Sequence, residues 1–112
     1  MTAQGTAHGR FARAIRERNL FMAELAAREL RALALNDALD LVELIAELQP
    51  ERVERAAVRW HGRLELEAQL LTLAESQLAL AALGALRADP SAIDILRAVL
   101  RRARPTLGRQ IG

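Results

Sequence analysis

From Ser76 to Leu86 the chain runs eleven residues without an ionisable group, and from Leu78 it reads Leu-Ala-Leu-Ala-Ala-Leu-Gly-Ala-Leu. The run is far short of the roughly 20 residues that cross a bilayer. Its alanines and leucines favour a helix over a strand. Thr72 followed three residues later by Glu75 is a capping box, which opens a helix of about 72–87. A helix that is apolar all round must be covered all round. The run therefore predicts the central helix of a bundle, with Gly84 and the alanines letting neighbouring backbones come close.

The remaining helices must supply that cover, and from Phe11 onward the apolar spacing is helical, with no alternating β-branched run. A first helix of about 9–18 would bury Phe11 and Ile15, and Asn19 is a break because asparagine tolerates the left-handed conformation. A second, about 20–33, puts Met22, Ala26, Leu30 and Leu33 inside, with Glu24 and Arg28 spaced to pair outside. If Asn19 stays helical, the two fuse into one rod. A third, about 36–48, has an acidic solvent stripe of Asn36, Asp40, Glu43 and Glu47, backed by Leu41, Leu44, Ile45 and Leu48.

Pro50 ends that helix and starts a fourth of about 50–69, capped by Gln49 or a neighbour. Val53, Ala57, Trp60 and Leu64 face inward, and Glu51 with Arg55 and Arg63 with Glu67 are spaced to pair. Asp89 and Pro90 open the last helix, about 90–103, with Ile93, Leu96, Leu100 and Ala103 inside and Asp94, Arg97, Arg101 and Arg104 outside. The fold class is all-α, a bundle of five or six short helices arranged as consecutive hairpins. Residues 1–8 read as a tail, 9–104 as one helical domain, and 105–112 as a second tail.

The 112 residues contain no cysteine, so thiolate metal sites, disulfides and a cysteine nucleophile are excluded. All 16 basic residues are arginine against 14 acids, and Ala and Leu fill 44 positions, a skew that GC-rich coding alone produces. The charges are blocked along the chain. Residues 1–35 carry six arginines and three acids, 36–50 four acids and no arginine, 51–88 balance, and 89–112 carry five arginines and two acids. Such a chain could pair its ends with its own acidic segment or with a second copy.

Few residues suggest chemistry. His61 and Glu65 at i,i+4 could supply two metal ligands, but a third is missing, and Trp60 with His61 reads better as a core anchor and a boundary residue, or as part of an interface. The acids of the stripe are solvated and untuned. Ser76 and Ser91 sit near helix starts and outside any nucleophile elbow. No metal or cofactor is expected. Arg97, Arg101, Arg102 and Arg104, with Arg109 beyond, could follow a phosphate backbone, although cations in a last helical turn already suit its dipole. With only Phe11, Phe21 and Trp60 as aromatics there is no stacking platform for single strands.

The runs Asn19 to Leu33, Asp37 to Glu47 and Glu54 to Arg63, with Glu-Arg-Ala-Ala-Val-Arg-Trp at 54–60, resemble those of uncharacterised small all-helical proteins of GC-rich bacteria. The resemblance implies an intracellular helical domain and carries no activity. Where those sequences place serine at the start of the third helix, this chain has Ala34, so Asn36 is the expected substitute cap.

The expected function is a cytoplasmic, non-enzymatic helical interaction module that contacts another protein or its own copy. The surface would draw on Arg97, Arg101, Arg102, Arg104, Asp40, Glu43, Glu47, Trp60 and His61. A dimer would join the acidic helix of one copy to a basic end of the other. The alternative is a nucleic-acid-associated protein using the C-terminal arginine stripe.

Overall fold

Apolar residues at steps of three and four, punctuated by caps and prolines, give six α-helices among the residues described in the computed structural model, 6–103. They are α1 (Ala7–Arg16), α2 (Leu20–Glu29), α3 (Leu35–Leu48), α4 (Val53–Glu67), α5 (Leu73–Ala85) and α6 (Ile93–Ala103). Single 3-10 turns at Pro50–Arg52 and Pro90–Ala92 lead into α4 and α6. Gln49 and Asp89, each just before a proline, are in non-helical conformations, extended at Asp89, so that no helix continues through them. No strand occurs among the described residues.

The helices pack as three consecutive hairpins, α1 with α2, α3 with α4 and α5 with α6, and α3 also reaches α1, α2 and α6. The molecule measures 46 × 38 × 19 Å. Helix axes pack about 8–10 Å apart, so the thin dimension holds only two layers. In such a slab most helices cover one side and leave the other to solvent.

Local signals account for most boundaries. Thr6 caps α1 through its hydroxyl, which accepts from the Gly9 N–H at 3.0 Å, so α1 begins inside the stretch expected to be tail. It ends in a Schellman motif, with the Asn19 N–H on the Ala14 carbonyl at 2.8 Å and the Arg18 N–H on Ile15 at 3.1 Å. The left-handed residue is Arg18, at φ 57°, not Asn19. Asn19 instead caps α2 by accepting from the Met22 N–H, which keeps α1 and α2 separate.

α2 stops at Glu29, four residues before the expected end, and its buried face is Leu20, Ala23 and Ala26; Met22 is exposed. Ala34 precedes α3 with no side-chain cap, so Asn36 does not substitute. Leu48 is exposed as well. The pairs expected between Glu24 and Arg28 and between Glu51 and Arg55 are not formed, and Glu24 accepts from Arg52 across the fold instead.

The core is continuous across the hairpins. α4 contributes Val53, Ala57, Trp60 and Leu64, and α6 contributes Ile93, Leu96, Leu100 and Ala103, as their spacing predicts. Trp60 is the largest fully buried side chain, and its indole N–H donates to the Leu35 carbonyl at 3.0 Å, fastening α4 to the start of α3.

The central helix is α3, which buries Leu35, Leu39, Val42, Leu44 and Ile45. That corrects the expectation for α5. Only Ser76, Ala79, Ala82 and Leu83 of α5 are buried, and the rest of its surface faces outward. Nor does Gly84 admit a neighbouring backbone, since a Cβ there would meet nothing within 4 Å.

Candidate functional site

Charges separated by up to about half the chain length are brought together on α3. Arg97 of α6 reaches across with one guanidinium nitrogen 2.7 Å from Asp40 and 3.0 Å from Glu43. All three side chains are roughly one-third exposed or less, so their attraction is less screened than that of a surface pair. Arg18 binds Glu47, and His8 Nε2 lies 3.2 Å from Asp37. All four acids of the segment 36–50 thereby have a partner within the chain, although Arg97 is one cation between two carboxylates and His8 is a cation only when protonated. A second copy would have to compete with these internal partners for the acidic helix.

The C-terminal arginines divide. Arg97 is held as described. Arg102 donates to both oxygens of Glu75 and to the Leu70 carbonyl, tying the end of α6 to the start of α5. The Arg102 guanidinium and the Thr72 backbone N–H hold the Glu75 carboxyl down to about 2. Arg101 is exposed and makes no ion pair among the described residues. Arg104 and Arg109 lie outside the described residues. The stripe expected to follow phosphate thus has two of its members committed to internal carboxylates.

The most chemically suggestive cluster joins α4 to the first turns of α5. Ser76 Oγ donates to Glu65 at 2.5 Å. His61 Nε2 lies 3.0 Å from the Ser76 carbonyl and 3.1 Å from its Oγ. A carbonyl only accepts, so Nε2 carries the proton. An imidazole that presents N–H cannot take the serine proton, and the carboxylate touches the hydroxyl rather than orienting the ring. With Ser76 itself buried, the cluster satisfies polar groups where α4 meets α5. No group of three or more potential metal ligands occurs among the described residues.

A groove of about 1260 Å³ runs between α3 and α4, floored by Ala38, Leu41, Val42 and Ile45. Arg52 of the preceding 3-10 turn and Arg55, Arg59 and Arg63 of α4 line it, together with Glu24, Glu51 and Glu54. Arg52 is paired with Glu24 and Arg63 with Glu67. Signs nearly cancel around the rim, so its electrostatics select no ligand. The sequence reading passed over these arginines, which only their steps of three and four would have revealed.

The outer half of α5 is exposed and free of charge, whereas the exposed Phe21, Met22 and Leu25 of α2 are interspersed with Glu24 and Arg28. Leu73, Ala74, Gln77, Leu78, Leu80, Ala81, Gly84 and Ala85 are all exposed, and none is charged. Leu73 is 75% exposed, Leu78 47% and Leu80 51%. Leu66 and Leu70, just before the helix, are 83% and 57% exposed. Among the residues expected to form a surface, Trp60 is buried and His61 half-buried, so neither offers much contact area. Comparison with family models, curated proteins and solved structures gave no match.

Proposed function

We propose that the chain is a cytoplasmic, non-enzymatic interaction module that docks on another protein, or on its own copy, through the outer half of α5. The observation that carries this reading is the uncharged, leucine-bearing face of that helix. Contiguous exposed apolar surface on a soluble domain marks an interaction site more often than isolated leucines do. The polar clusters point the same way by being closed: the histidine–serine–glutamate group and the α3 ion pairs leave no activated nucleophile or base.

The nucleic-acid alternative is weakened by the internal pairing of Arg97 and Arg102. No helix among the described residues is long and apolar enough to cross a membrane.

The test compares the intact chain with a Leu78→Glu, Leu80→Glu variant as immobilised bait at about 0.5 M salt, where surface charges are screened. Loss of the captured partner in the variant, with helicity retained, is the expected result. An identical captured set from both baits would remove the α5 face as the docking surface.

A further inference from the structure

We propose that the occupant of the bare α5 face is a second copy of the same helix, packed antiparallel about a two-fold axis. The proposal rests on the reading of α5 as the docking surface and names its partner. Leu73, Gln77, Leu80 and Gly84 follow one another at steps of four, three and four, the spacing of a coiled-coil seam, and all four are exposed. Antiparallel pairing of this seam sets Leu73 against the partner's Gly84 and Leu80 against the partner's Gln77. The same axis satisfies both pairs, so each leucine has a smaller or more pliable residue opposite it.

Gly84 carries an independent part of the argument. Glycine inside a helix is less favourable than alanine, and nothing within the chain calls for it, because a Cβ there would meet no atom within 4 Å. A leucine arriving from a second copy uses that open space.

Electrostatics fit as well. No charge lies on the exposed face between Leu73 and Ala85, and Arg87, the next position of the seam, falls opposite the partner's Leu70 rather than its own copy, so self-apposition opposes no like charges. Antiparallel helices also set opposite dipole ends together. The alternative dimer, acidic helix to basic end, would have to displace internal partners, because each acid of α3 already meets Arg97, Arg18 or His8.

The face is small for a dimer interface. Thirteen residues span about 20 Å, and a helix about 10 Å wide gives a footprint of about 200 Å², well below the roughly 800 Å² that each partner of a standard complex buries. A face this small is expected to hold a weak dimer, in about the micromolar range.

Sedimentation equilibrium of the full chain from about 1 µM to about 1 mM brackets that range. The expected result is a monomer–dimer equilibrium that added salt barely changes, with Leu80→Arg raising the dissociation constant at least tenfold (about 1.4 kcal/mol). Circular dichroism checks the fold of the variant. Should it lose helicity, Gly84→Leu, which fills the space expected to receive the partner's Leu73, takes its place with the same expectation.

Register is read separately. The chain has no native cysteine, so the double variant Leu73→Cys, Gly84→Cys should form a covalent dimer under mild oxidation, whereas Leu73→Cys alone should not. Within one chain the two positions are about 16 Å apart along the helix, too far to bridge. A monomer at about 1 mM, or a dimer that survives Leu80→Arg and dissolves in salt, would overturn the proposal. If the chain stays monomeric while Leu78→Glu, Leu80→Glu still abolishes partner capture, the second copy is excluded and the docking module stands. If neither measurement responds, both fall.

Discussion

α3 and α5 exchange the places that their compositions suggest. α3 carries four acids and sits at the centre of the fold, while α5 carries none between Ser76 and Leu86 and sits with half its surface bare. Composition states which contacts a helix needs. It does not state how many neighbours the architecture can provide. A slab two helices thick gives its central position to the helix that can face several partners at once, and α3 does so with Arg97 and Arg18 offsetting part of its acid charge. α5 receives cover on one side only, from α4 and α6.

The largest effect that would break this contrast is in core packing. Leu39 is fully buried on α3, so Leu39→Ala should cost about 2–5 kcal/mol through lost transfer energy and the cavity left behind. Leu80→Ala on α5 should cost less than about 0.5 kcal/mol in the dilute monomer, because little of its contact lies within the chain. Urea denaturation at low protein concentration measures both. Equal losses would mean that α5 is as enclosed as α3.

A smaller effect tests the balancing of α3. Arg97→Gln leaves Asp40 and Glu43 half-buried beside one another without their cation, and should cost about 1–2 kcal/mol. The check is a double-mutant cycle with Asp40→Asn. A coupling of zero would show that the central acids need no internal partner.

Much of this arrangement was legible residue by residue. The inward face of α4 and that of α6 follow from apolar spacing alone, and the start of α5 follows from Thr72 and Glu75. The pairing of both basic ends with the acidic segment was foreshadowed by the charge blocks, although which arginine meets which acid depends on separations of 54 and 57 residues that no local pattern records.

The end of α2 was not legible. Leu30, Arg31, Ala32, Leu33 and Ala34 are all adequate helix formers, and the helix stops at Glu29 because the chain must turn to bring α3 into the core. The terminator of α1 was misplaced by one residue, since Arg18 takes the left-handed conformation while Asn19 is drawn to its stronger role as a cap. The candidate docking face was missed for a different reason. Its residues were read correctly as apolar, and the cover assumed for them requires more helices than the chain supplies.

The smallest effect concerns the one strongly held charge on α5, and it separates electrostatic anchoring of that helix from apolar packing. Glu75 exchanges hydrogen bonds with Thr72 and receives Arg102, which lowers its carboxyl from the ordinary 4.5 to about 2. Because the folded chain holds the proton less tightly than the unfolded chain, the contribution is fully present above about 4.5 and is lost as pH falls toward about 2. Glu75→Gln keeps an acceptor for the capping box and removes the charge. The urea midpoint of the native chain should therefore exceed that of the variant by a constant amount from about pH 7 to about pH 5, and the gap should close on further acidification. Arg102 stays charged throughout, so the closing traces to the carboxylate alone. A gap that persists unchanged to about pH 2 would assign the role of Glu75 to the shape of its cap rather than its charge, leaving α5 fastened by its buried alanines and Leu83 and by the hydrogen bonds between Ser76 and Glu65 and His61.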